Sequence, residues 1–180
     1  MKHLEHFSIG CPPCCEESYV KAVLGLQGVN SHFWATTITQ PGFVVTLVKH
    51  PVVWLRELHL FFSDLETTGA NLTKSVFDTR NPHLKKLLHL WLISTEETDF
   101  LKKVAEYPGL VSRTFRVYNA NTCVRVEDFP WSLMELAESF GIATPGRTIT
   151  PPPKAKPERT DLHRKIIKNE PWLAETFSYW

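Results

Sequence analysis

Apolar and polar positions alternate along this chain with two periods. From Leu4 to Ile9 a short apolar stretch predicts a first strand that ends at Gly10. Tyr19, Val20, Val23, Leu24 and Leu26 then recur at helical spacing, which predicts a helix over 16–26 that stops near Gly28. His32, Phe33 and Trp34 fall in a connecting segment. Phe43-Val44-Val45-Thr46-Leu47-Val48 is β-branched and apolar on both faces, the pattern of a strand at the centre of a parallel sheet. Pro51 suits the first turn of a helix, and Trp54, Leu55, Leu58, Phe61, Phe62 and Leu65 form its apolar stripe.

The remaining elements follow the same logic. Gly69 to Asn81 reads as a polar connection. Leu84, Leu87, Leu88, Trp91 and Leu92 predict an amphipathic helix. Ser94 and Glu97 fit a capping box for a helix through Phe100, Leu101, Val104 and Ala105, which Tyr107-Pro108-Gly109 ends. Thr122 to Val126 predicts a third short strand. Asp128 is placed to cap a helix along Leu133, Leu136, Ala137 and Phe140, with Gly141 as its C-terminal glycine. Thr144 to Pro157 is proline-rich and basic, an extended connector. Helices start at Thr160-Asp161 and at Pro171. Trp172, Leu173, Thr176, Phe177 and Trp180 share a face that should dock on the body.

Strand-helix alternation of this kind predicts an α/β fold with a short central parallel sheet flanked by helices. The 180 residues predict one domain with a single core, given 43% hydrophobic residues and 6 tryptophans. A net charge of +1 and scattered basic pairs argue against nucleic acid as a partner. No apolar run is long enough to span a membrane, and the first residues lack a signal-peptide core. The clustering of three of the 4 cysteines differs from a secreted disulfide framework, so a cytoplasmic location is expected.

The candidate chemistry lies between the first strand and helix, in Gly10-Cys11-Pro12-Pro13-Cys14-Cys15-Glu16-Glu17-Ser18. A helix N-terminus there offers N–H groups and a positive dipole end to an anion. The glycines, lysine and hydroxyl of a P-loop ATPase are missing. The segment resembles instead the phosphosulfate loop of the sulfotransferases, roughly Gly-Cys-Pro-Lys-(Ser/Cys)-Gly-Thr-Thr. Gly10, Cys11, Pro12 and Cys14 match it. Pro13 stands at the lysine position, Cys15 at the glycine, and Glu16-Glu17 at the threonines.

Two further segments resemble that family. Lys49-His50-Pro51 between strand and helix is similar to its Arg-(His/Asn/Asp)-Pro, with Glu57 where a serine helps hold the donor's 3′-phosphate. Val124-Arg125-Val126-Glu127-Asp128-Phe129 with Ser139-Phe140-Gly141-Ile142 is similar to its Val-(Arg/Lys)-Tyr-Glu-Asp-Leu strand end and closing Phe-Leu-Gly. The resemblance implies a three-layer P-loop-like sulfotransferase fold and a donor, 3′-phosphoadenosine-5′-phosphosulfate (PAPS). It implies donor contacts at Cys14, Cys15, Glu16, Glu17, Ser18, Lys49 and Glu57, and His32 as catalytic base. It also implies a small-molecule or glycan acceptor, and a lid in the proline-rich segment.

The departures share one direction. A carboxylate facing a phosphate at ~6 Å costs about 3 kcal/mol at an effective dielectric of ~20. Glu16, Glu17 and Glu57 all place acids where the family places phosphate ligands, and Lys49 lacks the bidentate fork of arginine. Acidic residues in a first helical turn are stabilising, so Glu16 or Glu17 would fill the place that a phosphate vacated. The donor site is therefore degenerate. Three functions stay open: PAPS-dependent sulfuryl transfer, a non-catalytic domain binding a partner protein or another ligand, and a thiol redox protein built on Cys11-Pro12-Pro13-Cys14. A zinc site on Cys11, Cys14 and Cys15 is disfavoured because adjacent cysteines seldom reach one tetrahedral ion.

Overall fold

The computed structural model describes residues 7–24, 29–33 (backbone only), 43–68, 81–141, 150–153 and 159–179. These residues fall in two compact units, 1–49 with 118–154 and 50–117 with 155–180. The architecture is α/β with a short parallel sheet.

The sheet belongs to the first unit. Its strands are β1 (Phe7–Cys11), β2 (Val29–Phe33), β3 (Phe43–Val48) and β4 (Thr122–Arg125), in the order β2-β1-β3-β4. Every pairing is parallel. Gly10 sits opposite His32 on one side and Thr46 on the other. The expected central strand is confirmed at β3, whose Val45, Leu47 and Val48 are fully buried.

Two readings of this unit need correction. Val29–Phe33 is a strand, not a connection. Its mixed sequence carries no apolar run, so its extended form comes from pairing with β1 rather than from local propensity. That makes the strand at Thr122 the fourth. Asp128 also does not cap the helix after it. A single 3-10 turn, Val126–Asp128, intervenes, and Asp128 instead lies 3.6 Å from the Arg125 guanidinium.

Helix α1 (Glu17–Leu24) follows β1, and its Tyr19, Val20, Val23 and Leu24 are buried. Residues 4–6 and 25–28 of the expected first strand and helix lie outside the described residues. The last helix among the unit's described residues, Trp131–Ser139, buries Leu133, Leu136 and Ala137 and ends at Gly141, whose φ is 67°. Tyr19 stacks on Phe129 at 5.4 Å between ring centres.

The second unit is helical. It contains α2 (Pro51–Thr67), α3 (Pro82–Leu92), α4 (Glu97–Val104) and α5 (Leu110–Arg116); with Trp131–Ser139 numbered α6, the last two helices are α7 (Asp161–Lys168) and α8 (Pro171–Phe177). Trp54, Leu55, Leu58 and Phe62 of the expected α2 stripe have no exposed surface, and Trp54 meets Phe115 of α5 at 4.9 Å. Asn81 caps α3, its Oδ1 accepting from the amides of His83 and Leu84. Thr160 caps α7 through His163 N.

The capping box at Ser94 does not form. The Ser94 hydroxyl donates back to Leu90 O at 2.6 Å and so closes α3, while Asp99 accepts from Thr95 N. Leu92, expected in the apolar stripe, is 48% exposed. Helix α5 lies in a stretch without a clear sequence signal. Glu170 fixes its start: the two carboxylate oxygens accept from Val111 N at 3.0 Å and Ser112 N at 2.8 Å. Asn169 adds a bond from its side-chain amide to Ala105 O. The expected docking of the C-terminal helices thus runs through these polar clamps as well as through buried Leu173 and Phe177. Trp180 and most of the proline-rich connector lie outside the described residues.

Candidate functional site

The chain leaves β1 through α1 to reach β2 on one side, then crosses to β3 on the other side of β1. The switch point of the sheet therefore lies beyond the carboxyl ends of β1 and β3, where open α/β sheets bind ligands. The turn over 12–16 and Lys49 both emerge there.

The turn is held in an unusual shape. Cys14 has φ 61° and Glu16 φ 60°, and Cys15 between them is outside the left-handed region. Left-handed backbone costs a non-glycine residue about 1–2 kcal/mol. Alternation of this kind is also the backbone pattern of anion-binding nests.

Lys49 is what the turn closes on. It is only 6% exposed. Its Nζ donates to Glu16 Oε1 at 2.9 Å and to Cys14 O at 3.3 Å. The ammonium at the switch point is thus matched by a carboxylate from the turn itself. Glu17, the first residue of α1, forms an ion pair with Lys21 one helical turn on. Ser18 is exposed in the same turn.

The structure brings together Cys14, Glu16 and Lys49 among the expected donor contacts. Cys15 is 1% exposed. Glu57 is half-buried on α2 in the second unit. His32 is on β2, paired in register with Gly10, and its side chain lies outside the described residues.

Cys11 and Cys15 sit in an environment that disfavours thiolates. Burial pushes the Cys11 thiol well above its ordinary value, and the Glu17 carboxylate adds to this. Burial does the same to Cys15. The Cys11 thiol points at the carbonyls of Pro12 and Cys15, at 3.7 and 3.8 Å. Cys11 ends a strand instead of opening the helix, so the dipole that would lower its pKa begins several residues later. None of the four cysteines forms a disulfide. Among the described residues no group of three or more His, Cys, Asp and Glu is placed to hold a metal ion.

Tyr118 is the residue that sequence reasoning missed. Its ring lies flat against Gly10: a Cβ on Gly10 would stand 2.4 Å from the nearest ring carbon. Gly10 is therefore required by an aromatic ring of its own unit. Thr46 Oγ1 donates to Gly10 O at 3.2 Å from the other strand. Nothing in the sequence around Tyr118 marks it, because the contact is long-range.

Comparison of the chain with protein-family models, with curated proteins and with solved structures found no match. Among the described residues no helix is long and apolar enough to cross a membrane.

Proposed function

We propose that this chain is a sulfotransferase-like domain that has lost its donor and acts as a non-catalytic binding module. The observation that carries this reading is the Lys49–Glu16 pair. In the family resemblance Lys49 would hold the donor's 3′-phosphate. Here its charge is already met by a carboxylate from the phosphosulfate turn. A nucleotide would have to break that pair and then face Glu16 and Glu17. The loss is of the order of the ~8 kcal/mol that micromolar affinity represents.

A second reading is favoured by the backbone. The alternating φ at Cys14 to Glu16 suits an anion nest. On that reading PAPS binds through Lys49 and the turn amides, His32 serves as base, and a small-molecule or glycan acceptor receives the sulfuryl group. The redox alternative is weakened by the raised thiols of Cys11 and Cys15.

A thermal-shift titration with 3′,5′-adenosine bisphosphate separates the first two. Donor loss predicts no shift at millimolar nucleotide. A ligand at ~100 times its Kd adds about 2.7 kcal/mol. A rise in Tm of that size, abolished in Lys49→Ala, would establish donor binding and the enzyme reading.

A further inference from the structure

Helix α6 presents an unsatisfied outer face. Trp131, Met134, Glu135 and Glu138 lie at i, i+3, i+4 and i+7, hence on one side of the helix. All four are exposed, Trp131 by 70% and Met134 by 41%. The opposite side, Leu133, Leu136 and Ala137, carries the packing. The outer pair is thus surplus to the core.

The charges carried by α6 and the turn before it have one sign. From Val126 to Gly141 the chain contains no Lys, Arg or His, and it contains Glu127, Asp128, Glu135 and Glu138. Arg125, just before this segment, is turned onto Glu127 and Asp128 at 4.0 and 3.6 Å. An anionic lipid surface is repelled by such a face. A second copy brings its own like charges. Tryptophan is among the side chains enriched as anchors of protein interfaces, and acidic groups around it select a basic rim.

We propose that the Trp131/Met134 face of α6 is a docking surface for a basic amphipathic helical segment, one whose apolar face is flanked by Lys or Arg. The proposal holds whether or not nucleotide binds.

The probe is a fluorescein-labelled helical peptide with leucine at i, i+3, i+4 and i+7 and lysine elsewhere. Its twin carries glutamate in place of lysine. Anisotropy is read on the full chain at 50 and 300 mM salt. The lysine peptide should bind, more weakly at high salt. Its Kd should rise at least tenfold in Trp131→Ala/Met134→Ala and in Glu135→Lys/Glu138→Lys, and stay unchanged in Leu60→Ala on α2. The glutamate peptide should bind only the charge-reversed protein. Circular dichroism melts confirm folding, and the charge reversal tests the surface even if the tryptophan variant is unstable. Equal binding of the lysine peptide by all variants overturns the proposal, as does equal binding of both peptides by the native chain. A concentration-dependent dimer lost in Trp131→Ala assigns the face to a second copy and overturns it too. So does Trp131-dependent binding to phosphatidylglycerol vesicles.

Discussion

Lys49→Met and Glu16→Gln should destabilise the chain unequally. The two charges lie 2.9 Å apart, with the Lys49 side chain 7% exposed and Glu16 29% exposed. At an effective dielectric of ~20 their attraction is about 6 kcal/mol, before the loss of hydration that offsets most of it. Glu16→Gln removes this carboxylate from a buried ammonium, and we expect it to cost about 2–3 kcal/mol. Lys49→Met keeps the buried stem and leaves a carboxylate that reaches water, so about 1 kcal/mol is expected. The double variant should show a coupling of about 1.5 kcal/mol. Glu16→Gly should fall between native and Glu16→Gln, because glycine recovers about 1 kcal/mol of left-handed strain. Urea denaturation of the four-member cycle measures this at 0.15 M and 1 M NaCl. A buried pair keeps its coupling in high salt, whereas an exposed pair is screened. Coupling below about 0.5 kcal/mol, or Lys49→Met costing more than Glu16→Gln, would refute the claim that Lys49 is the buried partner and that the turn supplies its counter-charge.

Three further outcomes are expected. Gly10→Ala should lower stability by about 3 kcal/mol in urea titrations, since its Cβ meets the buried Tyr118 ring, and Tyr118→Leu in the same chain should recover part of the loss. Burial holds the Glu170 carboxyl above its ordinary value of 4.5, against the opposing bonds from Ser112 and Val111. The folded chain then binds a proton that the unfolded chain has released, so this group's contribution to stability falls as pH rises from about 4.5 through the raised value. Glu170→Ala should flatten that slope and cost about 2–4 kcal/mol by stranding two amides, as melts across pH 4–7 will show. Finally, Cys14 and Cys123, which are partly exposed, should react with an aromatic disulfide reagent far faster than Cys11 and Cys15; Cys14→Ser should remove part of the fast phase.

What the sequence discloses here depends on how local the cause is. Strand β3 and helix α2 are legible because an unbroken β-branched run and a 3.6-residue stripe need no partner to be recognised. The same holds for the caps at Thr160 and Gly141. Strand β2 is opaque, since Val-Asn-Ser-His-Phe becomes extended only by pairing with β1. Ser94 and Asp128 follow good capping rules, and each is taken by a competing partner, the Leu90 carbonyl and Arg125. At the site, the positions of Lys49 and Glu16 could be read from the chain. Their pairing across 33 residues could not, nor could the Tyr118 ring against Gly10.

The sheet is interrupted by most of the second unit. Strands β3 and β4 are neighbours, yet Val44 N reaches Asn121 Oδ1 across 77 residues of sequence. Closing a flexible loop of that length costs about 4 kcal/mol in chain entropy. If the intervening helices assemble first, the loop shortens and most of that cost is already met. The edge strand then joins last, and its amides report on the helices: whatever loosens α2 to α5 should speed hydrogen exchange in β4 before it touches β1 or β3. A strand of four residues thereby becomes a gauge of helices that lie between it and β3 in the sequence.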